Sequence, residues 1–156
     1  MDKIKQLQQA LPETIEDVLT DDPAERFYLT GMRSSAGMVL VTRTKAWLVI
    51  DFRYFEEAQS KVSNCLVVEQ KQLWPQIAAF LAGEGISSVA VDAGRVSVQR
   101  LREMRGAMSG IRVDDSDALA DLLAELRAVK DEDEAQWHRR AQQITDDTFA
   151  HICDFI

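Results

Sequence analysis

Residues 38–42 and 46–50 read MVLVT and AWLVI, two nearly unbroken apolar runs joined by the polar tripeptide RTK. A strand with water on one face alternates apolar and polar side chains, whereas a run without alternation needs cover on both faces. The pair therefore reads as a β-hairpin lying inside a sheet, with other elements packed above and below it.

The flanking sequence supplies that cover. After the hairpin, the pattern predicts a helix over 52–62, a strand over 65–70, a helix over 71–82 punctuated by Gly83 and Gly85, and a strand over 87–93. A helix over 97–107, a strand over 110–115 and a helix over 116–127 follow. Before the hairpin, Ile4 and Leu7 mark a short amphipathic helix ended by Pro12, and TIEDVLT (14–20) is β-rich enough for a strand. DDPAERFYLTG then offers an Asp N-cap, a Pro at the first helical position and a closing Gly31, a helix expected to turn Phe27, Tyr28 and Leu29 to the core. Strands alternating with helices of this length predict an α/β three-layer sandwich, with a mixed, partly parallel β-sheet flanked by helices. At 156 residues and 46% hydrophobic, the chain is long enough for one domain with a real core.

Charge and cysteine content narrow the function. A net charge of −8 argues against nucleic acid or an anionic membrane as partner, since both are bound by neutralising phosphates with Lys and Arg. The basic cluster Arg95, Arg100, Arg102 and Arg105 reads as a solvated helix face or as cover for a neighbouring acidic surface, with a phosphate site as the alternative. Cys65 and Cys153 are isolated and read as ordinary thiols. No apolar run approaches the ~20 residues of a membrane span and MDKIKQLQQA lacks the apolar core of a secretory signal, so the expectation is a soluble, cytoplasmic protein.

Catalytic motifs do not emerge. His138 and His151 lie thirteen residues apart on one predicted helix, too far for a helical metal pair, and read as solvent-facing or packing residues. The acidic runs DDSD (114–117) and KDEDE (130–134) sit where helices begin and read as caps rather than cation sites. Ser34 and Ser35 precede Gly37 without a G-x-S-x-G elbow, and no glycine-rich phosphate loop follows a strand. The expected catalytic, metal-binding and cofactor-binding residues are none.

The final segment differs in kind. Residues 131–156 form one long helical pattern, with Asp131 and Glu134 at capping-box spacing and a stripe of Trp137, Ala141, Ile144, Thr148 and Ile152. It stops at Phe155-Ile156 without a capping Gly, a Pro or a polar tail, which leads us to expect a chain cut from something longer.

Three stretches in this order, Y-L-T-G-x-x-x-S-A-G-x-x-L-V-T (28–42), D-x-R-Y-x-x-x-A (51–58) and LRAVKDEDEAQWHRRAQQITDDTF (126–149), resemble the creatinase/prolidase/aminopeptidase P family. The likeness is specific at 28–58 and 126–149 and weaker through 1–15 and 60–110. Two positions depart from the family pattern: Met32, where an aromatic residue is usual, and Phe52, where a small one is frequent. The resemblance implies a front domain over 1–127, with 128–156 as linker and first helix of a following metallopeptidase domain. In that family the following domain cleaves the bond before proline, using two divalent metal ions (Mn, Co or Zn) held by two Asp, one His and two Glu. None of those ligands is expected here, and this chain alone is expected to be inactive.

The resemblance further implies partners: the chain's own catalytic domain, a second copy in a homodimer, and short Xaa-Pro peptides, with neither nucleic acid nor membrane. The front domain would assist dimerisation and restrict access to the peptidase site. Arg53 and Tyr54 become substrate-proximal candidates, Arg53 through a bidentate pair with a carboxylate and Tyr54 as a wall with a free hydroxyl. A purely local role, capping the next helix and pairing with Asp51, competes with this. So does a free-standing α/β binding or dimerisation module without peptidase activity. A flavodoxin-like ligand domain would require the phosphate loop that the sequence lacks.

Overall fold

The hairpin forms as its sequence requires. Strand β2 (Met38–Val41) pairs antiparallel with β3 (Ala46–Ile50), Leu40 opposite Trp47, and every residue of both strands is buried. Thr42 closes the turn, its N–H donating to the Lys45 carbonyl at 2.8 Å and its hydroxyl accepting the Lys45 N–H at 2.9 Å. Side chains divide with the period of the pleat: Val39, Val41, Leu48 and Ile50 enter one core, and Met38, Leu40, Trp47 and Val49 the other.

The computed structural model describes residues 2–156; Met1, where the expected front domain begins, lies outside the described residues. Around the hairpin the chain adds β1 (Val18–Thr20), β4 (Leu66–Glu69), β5 (Ser88–Ala90) and β6 (Arg112–Asp114) to make a six-stranded sheet in the order β4-β3-β2-β1-β5-β6. Only β2 runs against the rest: β1 and β3 each pair with it antiparallel, while β3–β4, β1–β5 and β5–β6 are parallel. Helices α1 (Lys3–Ala10), α2 (Pro23–Thr30), α3 (Phe52–Lys61) and α6 (Ala118–Ala128) contribute to the first core through Leu7, Leu29, Ala58 and Leu119. Helices α4 (Leu73–Glu84) and α5 (Val98–Ala107) fill the second through Ile77, Leu81 and Met104. The result is the three-layer α/β sandwich with a mixed sheet that the alternating pattern predicts.

Residues 2–126 form one compact unit and 127–156 a second. The second is mostly α7 (Glu132–Phe155), capped by Asp131, whose side chain accepts the Glu134 N–H at 3.0 Å while the Glu134 carboxylate accepts the Asp131 N–H at 2.9 Å. This is the reciprocal capping box expected from its sequence. Along α7, Trp137, Ile144 and Ile152 are exposed.

Three expectations need correction. The strand predicted over 14–20 shrinks to 18–20, because the Arg43 guanidinium donates to the carbonyls of Leu11, Pro12 and Ile15 and holds residues 11–15 as a loop. Gly83 does not end its helix. It lies inside α4, and Gly85, with φ +71°, caps it. Finally, α2 does not turn Phe27 inward: Phe27 is 40% exposed, Tyr28 packs partly against the first core, and the buried face is Glu25, Arg26, Leu29 and Thr30.

Candidate functional site

Because β1, β3, β4, β5 and β6 are parallel, their carboxyl ends share one edge of the sheet, where open α/β sheets present their ligand-binding loops. An acidic residue stands at or just beyond each end: Asp21 and Asp22, Asp51, Glu69, Asp92, Asp114. Four of these are spent on turning the chain. Asp22 accepts the N–H groups of Ala24 and Glu25, Asp51 that of Arg53, Asp92 that of Gly94, and Asp114 that of Ser116, all between 2.7 and 3.0 Å. The Ser116 hydrogen bonds hold the Asp114 carboxyl below its ordinary value. Within the run DDSD, Asp114 thus turns the chain two residues before α6 begins at Ala118, and Asp115 pairs with Arg105 at 2.7 Å.

The loop 31–37, between α2 and β2, lies at the same edge, since β2 runs antiparallel and begins where β1 and β3 end. It is pinned at several points. Gly31, at φ +72°, donates to the Phe27 carbonyl at 2.8 Å as the α2 cap, a conformation that favours glycine. Met32 is buried, and its N–H donates to the Thr30 hydroxyl. The Arg26 guanidinium, 2% exposed, donates from Nη2 to the Ser34 carbonyl at 2.8 Å and from Nη1 to the Asp21 carbonyl. Burial lowers the Arg26 pKa, against the pull of Asp21 and Asp22, and its Nε is buried without a hydrogen-bond acceptor. Where Gly37 re-enters the sheet at φ +122°, an added Cβ would lie 3.1 Å from the Val49 carbonyl oxygen and 3.7 Å from that Nε.

Arg53 and Tyr54 both occupy the first turn of α3, beside this loop. Arg53 donates from Nε and Nη2 to the Asp51 carboxylate, at 3.2 and 2.5 Å, and stands over the Tyr54 ring at 5.4 Å. The Tyr54 hydroxyl is 2.9 Å from the Ser35 hydroxyl, and that hydrogen bond lowers its pKa. Arg53 also holds the Asp51 carboxyl below its ordinary range through the side-chain hydrogen bonds. The two sequence candidates are thus brought together with Asp51 and Ser35.

Sequence reasoning missed the buried charges on α2. Glu25 is 1% exposed and accepts a hydrogen bond from the Thr20 hydroxyl. Burial, reinforced by the neighbouring Asp92, raises its pKa to about 7. The signal was available: with Leu29 and Thr30 inward, helical spacing places positions 25 and 26 on the same face. Two of the four clustered arginines cover acids. Arg100 pairs with Asp21 at 2.6 Å and lies over the Trp74 ring, and Arg105 pairs with Asp115 at 2.7 Å.

Among the described residues, no three His, Cys, Asp or Glu side chains gather in a way that could hold a metal ion. His138 and His151 are exposed on α7. The described residues therefore do not fit a two-metal centre. Among the same residues, no helix is long and apolar enough to cross a membrane.

The fold occurs in known proteins. A Bacillus subtilis protein described as the uncharacterized peptidase YqhT is 28% identical over 133 residues, 83% of this chain and 36% of that protein. The Xaa-Pro dipeptidase from Bacillus anthracis superposes on the whole chain with a TM-score of 0.90 at 25% identity, the match covering 43% of that protein. The X-Pro aminopeptidase from Thermotoga maritima shares the fold, with a TM-score of 0.82 over 97% of this chain and 43% of its own, at 21% identity. The chain matches between about a quarter and a third of the length of its curated relatives. The family model for the Creatinase/Prolidase N-terminal domain matches residues 3–129, and the chain belongs to that family.

Proposed function

We propose that this chain is the non-catalytic front domain of a metal-dependent Xaa-Pro aminopeptidase or dipeptidase, which assists dimerisation and restricts the peptidase site to short proline-containing peptides. One observation carries the reading: all 156 residues superpose on 43% of the Bacillus anthracis Xaa-Pro dipeptidase. In this reading residues 1–127 are the front domain and 128–156 the linker and first helix of the catalytic domain, which would bring the two metal ions. The family match ending at residue 129 and the compact unit ending at 126 support that division. The pinned loop 31–37 and the Arg53–Tyr54 turn form the edge that would approach the neighbouring subunit's cleft, where Tyr54 offers a ring wall and a hydroxyl.

The test is the parent reading frame and its product. A frame running on for roughly two hundred residues with Asp, Asp, His, Glu and Glu in order, and a product that hydrolyses Xaa-Pro dipeptides with added Mn, Co or Zn, is the expected result. A frame stopping near Ile156 would instead make this a free-standing binding or dimerisation module.

A further inference from the structure

Arg26 is a costly residue to bury. Its guanidinium is 2% exposed, burial lowers its pKa, and the acids that offset its charge, Asp21 and Asp22, stand just before its helix. A buried cation loses more on leaving water than it recovers unless its N–H groups are well used, and an apolar side chain of similar volume often serves a core as well. What an apolar side chain cannot do is hold backbone in a set place.

The guanidinium works on three stretches of chain. Nη1 donates to the Asp21 carbonyl, where β1 has just ended, and Nη2 donates to the Ser34 carbonyl at 2.8 Å, in the middle of loop 31–37. Nε is buried without an acceptor and lies 3.7 Å from where a Cβ on Gly37 would stand, so the exit of the loop closes over the same group. The planar fork thereby ties the loop to the ends of β1 and β2, strands paired in the middle of the sheet. The other tie, between the Ser35 and Tyr54 hydroxyls, is exposed to water and holds less than a charge-assisted bond in the low dielectric of the interior.

We propose that Arg26 is the positioning residue of this edge: from inside the fold it sets where loop 31–37 stands, and through the loop it sets the length of peptide that the neighbouring cleft admits. Arg26 itself touches no substrate. The proposal rests on the reading of this chain as an access-restricting front domain and names the residue that keeps the restriction in place. A loop freed from its carbonyl anchor samples more positions, and longer peptides then pass it.

The full-length enzyme tests this with an Xaa-Pro dipeptide and a decapeptide that begins with the same two residues. In Arg26→Met, which keeps the bulk of the side chain and removes its donors, the ratio of kcat/KM for the dipeptide to that for the decapeptide should fall about tenfold, chiefly through a lower KM for the decapeptide. Arg26→Lys, whose ammonium lacks the planar fork, should lower the ratio part of the way. Arg43→Met is the control for a merely structural loss. Arg43 holds residues 11–15 by the same guanidinium-to-carbonyl bonds at the opposite edge of the sheet, so its removal should leave the ratio unchanged. A ratio kept in both Arg26 variants, or one that falls equally in Arg43→Met, overturns the assignment of Arg26 while leaving the peptidase reading in place. Should Arg26→Met fail to fold, Arg26→Lys decides alone, and an unchanged ratio there overturns the assignment. An unaltered parent that hydrolyses the decapeptide as readily as the dipeptide, or hydrolyses neither, overturns the reading on which the proposal rests.

Discussion

Asp51 holds Arg53 in two ways, accepting its backbone N–H at 3.0 Å as the N-cap of α3 and its guanidinium Nη2–H at 2.5 Å. The first bond satisfies a helix end that would otherwise be open, whereas the second is a surface ion pair, largely screened by water. The two can be told apart by thermal unfolding followed by circular dichroism. Asp51→Ala should lower Tm by about 4 °C through loss of the cap, while Arg53→Ala should stay within about 2 °C of the parent. Equal losses would mean that the ion pair, not the cap, secures this turn.

Gly37 sits where the pinned loop meets β2, at φ +122° and with the Val49 carbonyl 3.1 Å from the position of a Cβ. Gly37→Ala therefore strains the backbone and crowds a strand that cannot retreat, because Val49 is paired on both sides, with Met38 and with Val68. We expect a loss of about 1–3 kcal/mol by urea unfolding, with an unchanged m-value. Gly83, inside α4 with nothing within 4 Å of an added Cβ, is the control: Gly83→Ala should gain about 0.5–1 kcal/mol.

The hairpin and the alternation around it were legible because burial on both faces leaves an unmistakable signature in residues 38–50. Caps were legible for the same reason, since Asp22, Gly31 and Asp131 each act through their own backbone neighbourhood. What escaped was set by partners distant in sequence. Nothing near residue 14 reveals that Arg43 will hold residues 11–15 out of the sheet. Likewise, an Arg26 side chain reads as solvated until its loop is seen wrapping over it to Ser34. At the candidate edge, Arg53 and Tyr54 could be singled out by resemblance, but Asp51's hold on Arg53 and the stacking of Arg33 over Phe27 depend on coordinates.

Cys65 and Cys153 were alike in sequence and are unlike in the fold. Burial, with help from Asp2, pushes the Cys65 thiol up to about 12, whereas Cys153 is exposed on α7. Only the thiolate attacks a disulfide reagent. At pH 8, one thiol per chain should react promptly and the second at least about a hundredfold more slowly, the two becoming equivalent in denaturant. Cys153→Ser should abolish the fast phase; loss of the fast phase in Cys65→Ser instead would contradict the burial of Cys65.

Glu25 links stability to pH with a definite sign. Its carboxyl is raised from an ordinary 4.5 to about 7, first by burial and then by Asp92, with the Thr20 hydroxyl partly offsetting them. A carboxyl raised in the fold binds its proton more tightly there than in the unfolded chain. The stability it contributes is thus complete below about pH 4.5 and is lost as pH climbs through about 7. Asp17, raised to about 6 by burial and by Glu16, acts in the same direction over a lower window. Asp114 opposes them: held low by Ser116, it adds stability that disappears as pH falls below 3.8, so the fold should be most stable under mildly acidic conditions. Urea unfolding should show the free energy dropping by roughly 1–3 kcal/mol between pH 5 and pH 8, with the slope above pH 6 coming chiefly from Glu25. Glu25→Gln keeps the size of the side chain and an oxygen for Thr20 but cannot titrate, so its profile should be nearly flat between pH 6 and pH 8. If the variant keeps the parent's slope there, the proton is held elsewhere and Glu25 enters the fold already ionised.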